Sequence, residues 1–416
     1  MARFLFTTWE GGGHVQPLLL ATQEAMQAGH EVLVISDQCN STDADFVGVP
    51  FRPWTRAPSQ TGKTREEDRL KDHEAESPLD IIHRLLDRLM TGPALAYALD
   101  TLEAIDAFQA DIVISQELLF GAMAAAEARK LPLAVFAANI WSLPTLQGVP
   151  PFGAGMQQAT NDEERAMHDM VTQMSRSFFQ AGLPALNAAR EGLALAPLTD
   201  LFDQLNHAGR ILLATSQTFD FAPDVVPEPF VYVGPYMSDP AWAPTIAPPT
   251  GDAPLVLVSF SSLYQAQEAV LGRIIEALGR LPVTAVVTTG PTLSPNEFTA
   301  PANVSIVRAA AHSELLPKAA LFVTHAGHGS TLRPLMAGVP LLCLPLGRDQ
   351  HDNAARVASR SAGLSCSATA SVEDLAATIS TMLETPDFRS AAGRLGQAIL
   401  SDAANRSARQ AIESLL

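Results

Sequence analysis

Three stretches of the chain hold residue types that can do chemistry. The first is Gly11-Gly12-Gly13-His14-Val15-Gln16-Pro17, directly after the apolar run at residues 4–8. Three glycines let the backbone turn tightly and approach a ligand with no Cβ in the way. His14 stands where a helix begins, and the positive end of a helix disfavours an imidazolium, so a neutral ring able to act as a base is expected. The segment is not a dinucleotide fingerprint, because the third glycine of G-x-G-x-x-G falls on Gln16. Taken alone it reads equally well as a flexible strand-to-helix turn.

The second stretch is His325-Ala326-Gly327-His328-Gly329-Ser330-Thr331, between an apolar run at 321–324 and a helical pattern at 330–337. A glycine-rich turn into a helix suits a diphosphate, since N–H groups and the helix dipole face the anion while Ser330 and Thr331 add donors. Ser259-Phe260-Ser261-Ser262 follows another apolar strand and offers hydroxyls to the same anion. No cysteine or carboxylate joins His325 and His328 at ligand spacing, so no metal site is expected. The third stretch is Leu344-Pro345-Leu346-Gly347-Arg348-Asp349-Gln350. A carboxylate beside an amide supplies paired acceptors and donors for adjacent sugar hydroxyls. By itself it also reads as the capped start of a helix.

The elements that must position these groups alternate short apolar runs with amphipathic stretches. Strands are expected at 4–8, 31–35, 111–115 and 133–137, with helices at 15–28 and 121–130, the signature of a parallel sheet covered on both faces. The polar stretch 54–77 is expected to be a mobile excursion and 144–161 a long loop. Residues 237–253 form a Pro-rich linker. The rhythm then restarts, with strands at 255–260, 283–288, 304–307, 321–324 and 341–344 and helices at 266–281, 330–337, 350–361 and 372–383. The expected organisation is an N-terminal domain over 1–236, the linker, a C-terminal domain over 254–387 and a helical segment over 388–416, with a cleft between the domains.

Composition narrows the partners. The 416 residues include 27 Lys and Arg against 44 Asp and Glu, a formal net charge of −17. Such a surface repels nucleic acid and anionic membranes, so a phosphate ligand must be held locally. Cys39, Cys343 and Cys366 are too scattered for a disulfide framework or a metal knuckle. No run of about 18 or more apolar residues occurs, so no membrane span is expected. The start at Met1-Ala2-Arg3 runs straight into a strand, and a cytoplasmic protein is expected.

Taken together, Gly-Gly-Gly-His near the start, His325-x-Gly-x-Gly-Ser-Thr, and the later Pro-Leu-x-x-Asp349-Gln350 resemble the family 1 glycosyltransferases, nearest their bacterial natural-product branch. The resemblance extends over nearly the whole chain, including Thr288-Thr289-Gly290-Pro291 and His312-Ser313-Glu314-Leu315-Leu316-Pro317. It implies an α/β GT-B fold of two Rossmann-like domains. The first domain would hold a small, largely apolar acceptor and the second a UDP- or dTDP-sugar donor, with transfer by inversion and no cofactor or metal. The segment 388–416 would cross back onto the first domain.

By the same resemblance His14 matches the general base. His325, Ser330, Thr331 and Ser262 match the diphosphate contacts, Gly13, Gly327 and Gly329 are further donor-binding positions, Ala310 matches a main-chain contact to the nucleobase, and Asp349 with Gln350 the sugar grip. The family's usual Asp that orients the histidine is Gln116 here, followed by Glu117, so these two are the expected partners of His14. Arg333 stands where an acidic residue often binds ribose, which leaves dTDP open, and Ala309 stands where an aromatic often stacks on the base. Trp9, Trp141, Phe152 and Met156 are expected either to line an acceptor pocket or simply to fill core. Two other readings remain: a sugar-nucleotide epimerase on the same fold, and a nucleotide-sugar-binding protein without catalysis.

Overall fold

Strands that are apolar on both faces must be covered on both sides, and each half of the chain solves this in the same way. Arg3–Thr7 (β1), Glu31–Ser36 (β2), Phe51–Pro53 (β3), Ile112–Gln116 (β4), Leu133–Ala137 (β5), Arg210–Leu213 (β6) and Phe230–Tyr232 (β7) form one parallel sheet, in the order β3-β2-β1-β4-β5-β6-β7. Leu255–Ser259 (β8), Thr284–Thr288 (β9), Val304–Val307 (β10), Ala319–Thr324 (β11), Leu341–Cys343 (β12) and Gly363–Ser365 (β13) form a second, in the order β10-β9-β8-β11-β12-β13. The computed structural model describes residues 1–239 and 243–416; Pro240, Ala241 and Trp242 of the expected linker lie outside the described residues.

Side-chain alternation along β1 shows how each sheet is buried. Phe4 and Phe6 join the core under the helix Val15–Gln27, with Leu18 and Leu19, while Leu5 points to the opposite core beside Tyr97 and Leu119. Strand order reverses between β1 and β4 in the first sheet and between β8 and β11 in the second. In open parallel sheets the crevice at such a reversal, beyond the carboxyl ends of the strands, is where ligands bind. Thr7 pairs with Ser115 and Thr324 with Ser259 at these ends, so His14, Gln116, Ser262 and His325 all emerge at reversal points.

The halves are joined by more than a linker. Ile140 and Phe219 from the first half lie in the same core cluster as Phe322 and Leu341 of the second. The Arg356 guanidinium meets the Asp220 carboxylate at 2.8 Å with both side chains almost fully buried, and Tyr232 donates its hydroxyl to the other Asp220 oxygen at 2.7 Å. The helix Pro386–Ala404 brings Asp402 to the Ser216 hydroxyl at 2.6 Å and to the Thr218 N–H at 2.9 Å. The helix Ala408–Glu413 adds Ala408 and Ile412 to the core of Phe4, and Glu413 reaches His30 at 2.8 Å.

One expectation fails. The stretch 54–77 is anchored at both ends and does not swing free. Asp100 accepts the backbone N–H groups of Thr55, Arg56 and Ala57 at 2.9, 2.9 and 3.0 Å. Farther along, Asp72 pairs with Arg348 of the second half, and His73 stands edge-on to Tyr264 at 4.8 Å while Arg65 lies 4.2 Å over the same ring. Its mixed charges are therefore contacts, to the first half through Arg56, Lys63 and Arg69 and to the second through Arg65 and Asp72, which composition alone does not distinguish from a solvated loop.

Removing one partner of a buried ion pair leaves an uncompensated charge, at about 3–5 kcal/mol. Asp220→Ala is expected to lower stability by that order in urea unfolding; a change below about 1 kcal/mol would show that the Arg356 pair does not hold the halves together.

Candidate active site

The cleft between the sheets has a volume of about 910 Å³ and is walled by the glycine turn after β1 on one side and the loops after β8, β11 and β12 on the other. The walls come unusually close at Gly12. Its φ of +76° is one that side-chain-bearing residues rarely adopt, and a Cβ there would lie 3.0 Å from Leu263 and 3.3 Å from the Ser262 hydroxyl. The glycine is thus favoured twice, by its backbone angle and by the crowding of the opposing domain.

The cleft gathers ten of the thirteen expected site residues: Gly13, His14, Ser262, Ala310, His325, Gly327, Gly329, Ser330, Asp349 and Gln350. Thr331 is not among its walls. It is fully buried on the core side of the helix His328–Met336, and its hydroxyl returns to the Gly327 carbonyl at 3.0 Å. Adjacent helix positions face about 100° apart, so Ser330 and Thr331 cannot share one face.

Gln116 and Glu117 also lie behind the cleft, and neither hydrogen-bonds His14. The Gln116 amide oxygen accepts the Trp9 indole N–H at 3.0 Å and the Leu118 N–H at 2.8 Å. Glu117 is buried with its Oε2 unpartnered, and burial pushes its carboxyl up to about 8. Trp9 and Trp141 are core residues. Trp9 holds Gln116, Trp141 packs edge-on to Phe230 at 5.2 Å, and neither they nor Phe152 and Met156 line the cleft.

His14 is the N-cap residue of Val15–Gln27 but makes no capping bond. Its pKa is lowered to about 4, first by burial, then by the positive charge of Arg348, and least by neighbouring His328. The expected neutral ring is present, with enclosure as the dominant cause. The side-chain hydrogen bond to the ring comes from Asn139, whose amide nitrogen lies 3.4 Å from Nε2, and Trp9 meets the ring edge-on at 5.6 Å. Asn139 was missed in the sequence. Its position two residues beyond β5, next to the end of β4, is the signal that could have found it.

Across the cleft, Thr324 ties the glycine-rich turn together. Its hydroxyl donates to the Ser330 hydroxyl at 2.8 Å and accepts the Ala326 N–H at 3.1 Å, while Ser330 donates to Gly327 O at 3.0 Å. Gly327 begins the helix His328–Met336 with no side-chain cap, so no side chain competes there with a ligand for the first-turn N–H groups. His325 lies in the turn with its pKa lowered to about 3 by burial and by Arg348. His328 faces Phe219 of the first half at 6.1 Å, and burial lowers its pKa to about 4, so it belongs to the domain seam.

Asp349 accepts the Asn353 amide at 2.8 Å, and burial raises its carboxyl above the usual range. Gln350 accepts the Leu346 N–H at 2.7 Å and donates to Gln265 at 2.9 Å, which braces the loop after β12 against the loop after β8. Arg333 turns to the linker, where it contacts Asp239 at 3.2 Å and the Ser238 carbonyl. No group of three or more His, Cys, Asp or Glu side chains placed to hold a metal occurs among the described residues.

Residues 159–402, more than half of the chain, match the family model described as UDP-glucoronosyl and UDP-glucosyl transferase. The chain belongs to this glycosyltransferase family. The glycosyltransferase is 28% identical over 414 residues to 4'-demethylrebeccamycin synthase of Lentzea aerocolonigenes, which covers 95% of this chain and 94% of that protein. Its fold superposes on the glycotransferase of kitacinnamycin with a TM-score of 0.77 at 19% identity, over 99% of this chain and 97% of the other. The glycosyltransferase VinC, solved in complex with dTDP, superposes with a TM-score of 0.70 at 19% identity, over 99% and 98% of the two chains. The GT-B arrangement of two Rossmann-like domains follows from these likenesses together with the two parallel sheets. Among the described residues no helix is long and apolar enough to cross a membrane.

A hydrogen bond to a charged group contributes about 1.5–3 kcal/mol. If the glycine-rich turn of this glycosyltransferase holds the diphosphate, His325→Ala weakens calorimetric binding of UDP or dTDP by that amount; unchanged affinity in a folded variant would remove His325 from the anion site.

Proposed function

We propose that this glycosyltransferase moves a sugar from a UDP- or dTDP-sugar to a hydroxyl of a small, largely apolar acceptor, with inversion at the anomeric carbon. The observation that carries this reading is the neutral imidazole of His14 on one wall, facing the uncapped helix end and the Asp349-Gln350 loop on the other. A base and an anion cradle on opposite walls suit a single displacement. His14 takes the acceptor's proton, the freed oxygen attacks the anomeric carbon, and the diphosphate leaves with the bonding electrons of the broken C–O bond. First-turn N–H groups, the helix dipole and nearby Arg348 stabilise the negative charge that develops on the leaving group. Asp349 and the remaining amide capacity of Gln350 take sugar hydroxyls.

Arg333 leaves dTDP open beside UDP. Its guanidinium is engaged by Asp239 and Ser238, and the acidic residue that would accept a ribose 2′-hydroxyl is missing at that position. VinC, a fold neighbour, is solved with dTDP. An epimerase would need acid and base carboxylates around the sugar, and membership of the transferase family does not favour it.

Two measurements test the reading. Incubation with dTDP-glucose or UDP-glucose and a phenolic or polyketide acceptor, read by mass spectrometry, is expected to give acceptor plus one hexose. Interconverted sugar nucleotide with no transfer would support the epimerase instead. General-base assistance contributes typically about 10²–10⁴-fold, so His14→Ala is expected to lower kcat by that factor while dTDP affinity stays near the parental value. Parental turnover in His14→Ala would remove the mechanism.

A further inference from the structure

We propose that Asp72, a first-domain residue, is a positioning residue for the donor sugar: by pairing with Arg348 it holds the Asp349-Gln350 loop of the second domain in its binding shape. That role rests on the reading of Asp349 and Gln350 as the sugar grip. Arg348 lies between β12 and the helix Gln350–Ser359 with a φ of +54°, in the left-handed region. A residue with a side chain is strained there, and the angle persists only where the surroundings impose it. Asp349 and Gln350 follow directly, so the backbone at Arg348 sets the direction in which both meet the cleft.

The guanidinium is what imposes the angle. It contacts one Asp72 oxygen, and neither side chain has another hydrogen-bond partner among the described residues. Both are largely buried. Burial works against the arginine's charge, but Asp72 first, then Asp68 and Asp349, outweigh it and raise the pKa above the ordinary value. Asp72 is in turn presented by a clamped stretch of chain. Arg84 donates to the carbonyls of Lys71 and Glu74 at 3.1 and 3.2 Å, and Arg88 to those of Arg69 and Leu70 at 3.1 and 3.2 Å. Next to Asp72, His73 meets Tyr264 of the second domain edge-on at 4.8 Å.

The helix that continues the loop is moored to the first domain as well. Asp352 accepts the Gly153 and Gly155 N–H groups at 2.6 and 2.7 Å, and Arg356 meets Asp220 at 2.8 Å. With Arg348 these contacts recur every four residues, the spacing that keeps side chains on one face of a helix. One side of the element therefore faces the first domain while Asp349 and Gln350 line the cleft. Without Asp72 the guanidinium loses its main counter-charge and turns to cleft water. The backbone then relaxes to an ordinary angle, and Asp349 and Gln350 move with it. The glycine-rich turn after β11 is tied by Thr324 instead and stays in place. Loss of a carboxylate near the cleft by itself favours an anionic ligand, so weaker binding confined to the sugar is not an electrostatic effect.

The test is calorimetric binding to the full chain of dTDP-glucose against dTDP and of UDP-glucose against UDP, keeping the pair that the parent binds more tightly. The variants are Asp72→Ala, the equal-sized Asp72→Asn in case the first is unstable, Asp72→Glu and Asp349→Ala. Loss of a hydrogen bond to a charged group corresponds to about tenfold in affinity, so the sugar nucleotide is expected to bind about tenfold or more weakly to Asp72→Ala. The bare diphosphate is expected to bind at least as tightly as to the parent, and Asp72→Glu, which keeps the carboxylate, to recover the sugar nucleotide. In the ligand-free protein, amide hydrogen exchange over residues 346–350 is expected to be about tenfold or more faster in Asp72→Ala, because the loop opens locally.

Sugar nucleotide and bare diphosphate weakened alike would overturn the proposal, as would unchanged sugar-nucleotide affinity in a folded Asp72→Ala or Asp72→Asn, or unchanged exchange in the loop. If Asp349→Ala weakens the sugar nucleotide alone while the Asp72 variants do not, only the positioning role falls. If Asp349→Ala spares the sugar nucleotide too, the sugar-grip reading falls and takes the role of Asp72 with it.

Discussion

The loss of water around His14 is the condition on which the cleft's chemistry rests. It arises because two sheet edges meet at their reversal points, so closely that a Cβ at position 12 would crowd Leu263 and Ser262. Burial is the first cause of the lowered pKa at His14, and equally at His325 and His328. One enclosure therefore keeps one histidine neutral as a base and the others neutral beside an anion site. The buried pair of Asp220 with Arg356 and the return of the last two helices onto the first sheet hold the walls at that spacing.

Charge is arranged against the trend of the whole molecule. A chain with a net charge of −17 places Arg348 and Arg333 at the cleft and secures each with a carboxylate, Asp72 and Asp239. Arg348 is shared between functions. It anchors the 54–77 stretch, lowers the pKa of His14 and His325, and supplies positive potential near the uncapped helix. In a low-dielectric crevice such a fixed cation acts over a longer range than it would in water.

The parts of this arrangement legible in the sequence are those with local causes. Apolar runs such as Phe4-Leu5-Phe6 and Leu321-Phe322-Val323 must be buried strands, and a glycine turn after each marks a place where a backbone approaches something. That reasoning brought His14, His325 and Asp349 to one cleft. It failed where position depends on a partner far away in the chain. A local exception is Thr331, a hydroxyl at the same helix start as Ser330, which the helix turns to a buried face. Glu117 follows a strand as His14 does, but the chain after β4 buries its carboxyl behind the cleft wall. Asn139 is marked only by its place beyond a strand end beside β4, and the role of Arg348 comes from Asp72, far away in the chain.

The central claim is that enclosure keeps His14 neutral through the physiological range, and an NMR titration of its imidazole tests it most directly. The His14→Ala spectrum identifies the resonance, and the parent is followed downward in pH without ligand. A neutral form favoured in the folded state loses that advantage as pH falls from the ordinary histidine value of about 6.5 towards the lowered one. The expected midpoint is about 4, with no protonation step near pH 6.5. A midpoint at about 6.5 would mean that water reaches the ring freely, and the enclosure of His14 by the two sheet edges would be contradicted.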